Sequence, residues 1–231
     1  MINLHKRSDQ QELMDRNDIP YEAMAQTLKE LNIINSRLGG HAVTIKGLKQ
    51  LIKGEGPVTI CEIGCGGGDN LSAIHKYCLQ HNIFASFIGI DMNEACISFA
   101  KQQYTGLPCQ WICSDYALVD FGNKQPDIIF SSLFCHHFTN EQLITMLHWL
   151  QQNSKKGFFI NDLHRHRLAY YLIKYITKFF SKSYLVKNDA CISVARSFTK
   201  KDWQQLFQLS GIKNYRVTWA WAFRWLIVYN N

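Results

Sequence analysis

Hydrophobic positions along the chain change period once, near residue 57. Before it, over residues 9–53, apolar side chains recur every three or four positions, as at Leu28, Leu31, Ile34 and Leu38, a pattern that predicts helix. Gly39-Gly40 ends that helix, and a second is predicted from about residue 44 to residue 53. Lys53-Gly54-Glu55-Gly56-Pro57 is the clearest break in the chain. Beyond it, short apolar runs alternate with helical ones. Strands are predicted at 58–63, 84–90, 109–113, 127–131 and 157–161, and helices at 70–81, 94–103 and 140–152. Such alternation indicates a parallel sheet covered on both faces. The tail differs: a helix at 200–209, ended by Gly211, precedes strands at 217–221 and 224–229. Their connection is too short for a parallel crossover, so they form an antiparallel hairpin. The predicted fold is α/β, with a mostly parallel sheet, an antiparallel C-terminal hairpin and an N-terminal helical part over residues 1–53. Residues 54–231 make one structural unit.

Composition narrows this picture. The 231 residues suit one medium domain with an appendage. With 47% hydrophobic and 19% charged residues, a largely disordered chain is excluded. No apolar run reaches the roughly 18 residues of a membrane span. The start, Met1-Ile2-Asn3-Leu4-His5-Lys6-Arg7, turns polar at once, so no signal peptide and a cytoplasmic location are expected. Eight cysteines sit mostly inside apolar runs, with no CxxC and with two CxxxC pairs that lack an accompanying HxxxH. Buried free thiols are expected rather than a zinc site, and no metal. The net charge of +7 is uneven: residues 1–161 hold 13 basic and 15 acidic side chains, residues 162–231 hold 12 and 3. A basic part of this kind suits an anionic substrate, a membrane surface or nucleic acid, or is a solvated face with no partner.

The first strand runs into Glu62-Ile63-Gly64-Cys65-Gly66-Gly67-Gly68-Asp69, and a helix comes next. A glycine loop there lets a ligand reach backbone and helix N-terminus, and Asp91, at the end of the next strand, is placed for ribose hydroxyls. The GxGxxG pattern of dinucleotide sites fails, because Asp69 stands where the third glycine belongs and would face a pyrophosphate. An adenosine ligand without phosphate suits the loop better.

With these residues in register, residues 55–231 resemble the class I S-adenosylmethionine-dependent methyltransferases, CEIGCGGG being similar to their first motif and GIDMNEACISFAK to their second. The resemblance implies a Rossmann-like sheet with an N-terminal helical lid, and S-adenosylmethionine as cofactor. It implies that Glu62, Gly64, Gly66 and Gly68 form the floor under methionine and ribose, that Asp91 holds the ribose hydroxyls, and that Met92 packs on the adenine. It also implies that Asp115, beside Tyr116, meets the adenine amino group, and that Ser131, near the end of the fourth strand, faces the methyl group.

Residues beyond the fourth strand bear on the acceptor. The [DNS]-P-P-[YFW] motif of base-amino methylation is absent after that strand, and Pro108-Cys109-Gln110 precedes the third strand, away from the donor. Cys135 lies in an apolar stretch, which disfavours a nucleophile. No nucleic-acid substrate is therefore expected. Leu133-Phe134-Cys135-His136-His137-Phe138 resembles the small-molecule branch that includes the ubiquinone and menaquinone methyltransferases. His136 or His137 would take a phenol proton, or else cap and pack the next helix. His164 and Arg165, at the end of the fifth strand, are substrate candidates or loop residues. Over residues 165–182 an apolar helical face holds Tyr171, Leu172, Tyr175 and Phe179, flanked by Lys174, Lys178 and Lys182. Tyr171 and Tyr175 are expected against the acceptor. The same face suits peripheral contact with a bilayer, the alternative being a helix packed on its own sheet. The whole chain also resembles bacterial methyltransferases of polyketide and aryl-lipid pigment gene clusters, through Asn35-Ser36-Arg37-Leu38-Gly39-Gly40 and Arg196-Ser197-Phe198-Thr199. The expectation is O-methylation of a small, hydrophobic phenol or quinol. The alternatives are a non-catalytic donor-binding protein and an RNA methyltransferase that uses the basic tail.

Overall fold

In the computed structural model, which describes residues 3–16, 18–52 and 56–231, the alternation after residue 57 becomes five parallel strands. These are β1 (Val58–Ile63), β2 (Ala85–Asp91), β3 (Cys109–Cys113), β4 (Ile128–Ser132) and β5 (Gly157–Leu163). The hairpin of β6 (Tyr215–Ala220) and β7 (Arg224–Asn230) completes one sheet in the order β3-β2-β1-β4-β5-β7-β6, with β7 antiparallel to β5. Among the described residues eight α-helices accompany it: α1 (Tyr21–Arg37), α2 (Gly40–Leu51), α3 (Asp69–Gln80), α4 (Glu94–Gln103), α5 (Asn140–Asn153), α6 (Arg167–Phe180), α7 (Tyr184–Arg196) and α8 (Lys200–Ser210). Residues 53–55 of the predicted break lie outside the described residues.

Adjacent strand residues separate onto opposite faces, as a period of two requires. Ile60, Phe130, Phe159 and Leu226 pack under Leu48 of α2, Leu71 and Ile74 of α3, and Ile97 of α4. Their neighbours Cys61, Ile129, Ile160 and Ile227 pack against Leu143, Met146 and Leu150 of α5, and Trp203 and Phe207 of α8. Helix α8 starts at a capping box in which Thr199 and Asp202 bond reciprocally, as its sequence predicts.

The predicted N-terminal helical part is more varied than its periodicity indicates. Helix α2 belongs to the sheet's cover: a Cβ on Gly47 would lie 2.5 Å from the Phe159 ring, so only glycine permits that approach. Helix α1 packs Met24 and Leu28 on Cys96 and Phe99 of α4, and borders the ends of the strands. Residues 3–16, expected to be helical from residue 9, form an extended strap with one 3₁₀ turn at Leu13–Asp15. The strap docks on α7 through Ser8 N–H to the Ala195 carbonyl (3.0 Å) and through Leu13 and Met14 N–H to the Asp189 carboxylate (2.8 and 2.9 Å). Helix α7 carries no amphipathic signature, since Leu185, Val186, Asp189, Ile192, Val194 and Arg196 are buried around its circumference. All eight cysteines are free thiols. No described helix is long and apolar enough to cross a membrane.

Candidate active site

The C-terminal ends of the parallel strands open into a cavity of about 670 Å³, where open α/β sheets bind ligands. Its floor is the loop after β1. Gly64 has φ +64, and a Cβ there would lie 2.2 Å from the Phe134 ring, so the bare backbone lets Phe134 close the floor. Gly66 N–H donates to Asp91 Oδ2 (2.8 Å) and Asn93 N–H to Asp91 Oδ1 (2.9 Å). Burial raises the Asp91 carboxyl, and these two N–H bonds oppose the rise. Buried Glu62 accepts from Asn70 Nδ2 (3.0 Å) through Oε1, while Oε2 has no partner. Burial, with Asp69 and Asp91 nearby, holds its carboxyl well above the usual range. Met92 lies at the rim, and Tyr116 lines the wall.

Several expected donor contacts are displaced by one residue. Asp115 caps the following turn by accepting from Ala117 N–H (2.9 Å) and does not line the cavity; Ser114 and Tyr116 do. Ser131 is fully buried beside Cys135 Sγ, and Ser132, on the opposite side of the pleat, lines the cavity instead. Gly68 lies behind the floor as the residue before α3. Leu133 comes next after β4 at φ +55, a costly conformation for a leucine, and turns the chain into the cavity wall.

One end of the cavity holds a pair of opposite charges that sequence reading missed. Arg224, fully buried at the start of β7, donates from Nη2 to Asn35 Oδ1 (3.1 Å), and its Nε has no partner. Asn35 Nδ2 donates in turn to Asp69 Oδ2 (3.2 Å), which also accepts from His41 Nε2 (2.8 Å). Burial lowers the Arg224 guanidinium to about 10, against the attraction of Asp162 and Asp69. The unpartnered Glu62 Oε2 and Arg224 Nε fit a ligand that brings polar groups to both, as S-adenosylmethionine does with its ribose hydroxyls, ammonium and carboxylate.

The other half of the cavity is mostly apolar, with Leu163, Ala169, Ile173, Ile176 and Val186, closed by the strap. His136 is buried there between two carboxylates: Nδ1 donates to Asp162 Oδ1 (2.8 Å) and Nε2 lies 3.3 Å from Glu12 Oε1. Burial alone would lower its pKa; the ion pair with Asp162 and the bonds to Asp162 and Glu12 outweigh it and hold the imidazole at about 10. Both ring nitrogens of His136 thus face carboxylates, an arrangement that favours the imidazolium and suits it poorly to accepting a phenol proton. His137 differs: its side chain is 23% exposed, Nδ1 lies 3.0 Å from Asp15 Oδ1, and Nε2 is 4.0 Å from Glu12 Oε2. Glu12, His136 and His137 hold ligand-type atoms within 4.8 Å of one another. The imidazolium and nearby Arg196, whose Nη1 is 3.6 Å from Asp15 Oδ2, already offset the carboxylates. Arg196 also fixes this loop by donating to the His136 and His137 carbonyls (3.0 and 2.7 Å).

The remaining substrate candidates lie outside the cavity. Arg165 is buried, donating to the Leu4 carbonyl (3.1 Å) and pairing with Asp202 (3.0 Å), so it anchors the strap. His164 packs 4.9 Å from the Trp225 ring, and burial, with His166 and Arg165, lowers its pKa to about 4. Tyr171 and Tyr175 point outward, because α6 turns Ala169, Ile173 and Ile176 inward. Cys135 is fully buried and burial pushes its thiol far up, which excludes a thiolate nucleophile.

A family profile described as a methyltransferase domain matches residues 60–157. No curated protein matches the chain in sequence. Among solved structures, the chain is similar to the plantazolicin methyltransferase BpumL in complex with SAH, at 20% identity and TM-score 0.65, covering 91% of this chain and 95% of that one. The same enzyme with a pentazolic desmethylPZN analog and SAH gives 19% identity and TM-score 0.64 over 91% and 96%. A SAM dependent methyltransferase from Aquifex aeolicus gives 17% identity and TM-score 0.62 over 88% and 96%. At such identities the likeness is one of fold. Residues 60–157, which match the methyltransferase-domain profile, contain the glycine loop, Asp91 and the end of β4 that build the donor half of the cavity, and this supports methyl transfer with S-adenosylmethionine as donor.

Proposed function

We propose that the enzyme methylates an oxygen of a small, hydrophobic phenol or quinol. The observation that carries this reading is His137, the imidazole of the loop after β4 that is part-exposed, lines the cavity and keeps its Nε2 4.0 Å from the nearest carboxylate oxygen. When bound, the donor supplies an electrophilic methyl group. The chain's own residues do the rest. Leu163, Ala169, Ile173 and Ile176 bind the ring and exclude water, so that a phenol oxygen is desolvated as it approaches. Asp15 Oδ1 lies 3.0 Å from Nδ1 of His137, and Nε2 is the nitrogen that takes the hydroxyl proton. Protonated His136, locked by Asp162 and Glu12, holds the strap over the ring without exchanging protons. The likeness to BpumL, seen with monoazolic, triazolic and pentazolic desmethylPZN analogs, supports an acceptor of natural-product type.

The test is methyl transfer from labelled S-adenosylmethionine to a panel of alkylated phenols, quinols, amines and bulk RNA. Turnover on phenols or quinols is expected, with His137→Ala lowering the rate about 100-fold or more while SAH binding stays intact. Transfer confined to amines or RNA overturns the acceptor. Tight SAH binding with no transfer to any acceptor favours the non-catalytic alternative.

A further inference from the structure

Helix α6 exposes its apolar stripe. Leu168, Tyr171, Leu172, Tyr175, Phe179 and Phe180 are 52%, 41%, 45%, 55%, 71% and 83% exposed, whereas Ala169 and Thr177 are buried. Apolar side chains at three- and four-residue spacing normally mark the face a helix buries. Among the described residues that face has no partner, and six exposed large apolar side chains on 14 residues are far beyond scattered surface hydrophobics.

The stripe has two different edges. Arg167, Lys174 and Lys178 lie along one, and Lys182 and Lys187 continue the charge past the helix end, all of them exposed. No acidic residue occurs between Asp162 and Asp189. From a neighbouring helix Glu30 reaches this end, but its carboxylate is taken up by the N–H groups of Lys182 and Ser183 (3.0 and 3.1 Å) and by the Ser181 hydroxyl. The opposite edge, at Leu172, Ile173 and Ile176, lines the cavity. Trp221 in the β6–β7 turn, 68% exposed, also lines the cavity. That turn is tied to the root of α6 by stacking of Phe223 on His166 at 5.2 Å.

We infer that the α6 stripe, with Trp221, is a docking surface for an anionic lipid bilayer, and that the cavity mouth opens onto that bilayer. Aromatic rings and aliphatic chains edged with lysines fit the boundary between headgroups and acyl chains. An anionic surface supplies the counter-charge this face lacks. A second copy of the chain would bring the same cations and no acids. The docking stands on the exposed stripe and its charge; the further step, entry of a lipophilic acceptor from the bilayer, rests on the proposed hydrophobic acceptor.

The full chain is sedimented with vesicles of phosphatidylcholine alone and of phosphatidylcholine with 30 mol% phosphatidylserine. Binding is expected to the anionic vesicles only, weakening as salt rises. The K174Q/K178Q/K182Q variant should bind them about 100-fold more weakly, roughly fivefold per lysine. The F179S/F180S variant, whose side chains lie away from the cavity, should lose at least tenfold. Both should keep wild-type SAH affinity by calorimetry, which reports a folded donor site. Equal sedimentation of wild type and both variants, or no binding to anionic vesicles, overturns the proposal. A dimer in the ultracentrifuge that F179S/F180S dissociates also overturns it, in favour of self-association. None of these readouts depends on which acceptor is methylated.

Discussion

Replacing Arg224 by methionine tests the donor half of the cavity at its most buried charge. The guanidinium is linked through Asn35 to Asp69, so one end of the cavity presents a cation and an anion joined by an amide. That arrangement matches a free amino-acid group, whose carboxylate would meet Arg224 and whose ammonium would meet Asp69. A hydrogen bond to a charged group contributes about 1.5–3 kcal/mol, so R224M should weaken SAH binding about 10- to 150-fold. 5′-Methylthioadenosine shares the adenosine and thioether but has no amino-acid group, and its affinity should not change. Both constants come from calorimetry on the same preparation. Stability provides the control. Burial already lowers the Arg224 pKa to about 10, meaning that the fold holds this charge at a cost. A methionine of similar length removes that cost and leaves Asn35 Oδ1 unpaired, two changes of opposite sign. The melting temperature should therefore shift by no more than a few degrees. An equal loss for both ligands, or undiminished SAH binding in a folded variant, would refute the zwitterion assignment.

The same geometry makes other outcomes testable. Gly64→Ala places a Cβ 2.2 Å from the Phe134 ring at φ +64 and should abolish donor binding or cost about 2 kcal/mol or more of stability; calorimetry and urea unfolding read the two. The strap should loosen in alkali. His136 is raised to about 10, so its stabilising contribution is complete below its ordinary pKa near 6.5 and is lost as pH climbs through about 10. Glu12 and Asp162 are lowered, against burial and because of His136, so their contribution is present above the usual carboxylate range and fades only in acid. The unfolding free energy from urea titrations should fall between pH 7 and 10 in the wild type by up to about 1.4 kcal/mol per pH unit, and His136→Gln should remove that slope; parallel pH profiles would show that His136 is neutral.

Much of the frame is legible in local pattern. The predicted and observed limits coincide for β1, β3 and α4, and the Thr199–Asp202 cap and the antiparallel hairpin stand where turn chemistry puts them. These features depend on neighbours within a few residues, so hydrophobic period and cap residues suffice to place them. The charge pair of Arg224 and Asp69 is different, since Asn35, which joins them, is 189 residues away from Arg224. His136 and His137 are adjacent and chemically identical in the sequence, and only the strap's Glu12 and the end of β5 at Asp162 make one a fixed imidazolium and leave the other part-exposed. Helix α7 was invisible because burial on all sides leaves no stripe. Helix α6 shows the limit most directly. Its period of 3.6 tells which side chains share a face, and the sequence determined that Leu168, Tyr171 and Tyr175 do. Which way that face turns depends on how α7 and the strand ends receive the helix, and only the tertiary structure decided that it turns outward.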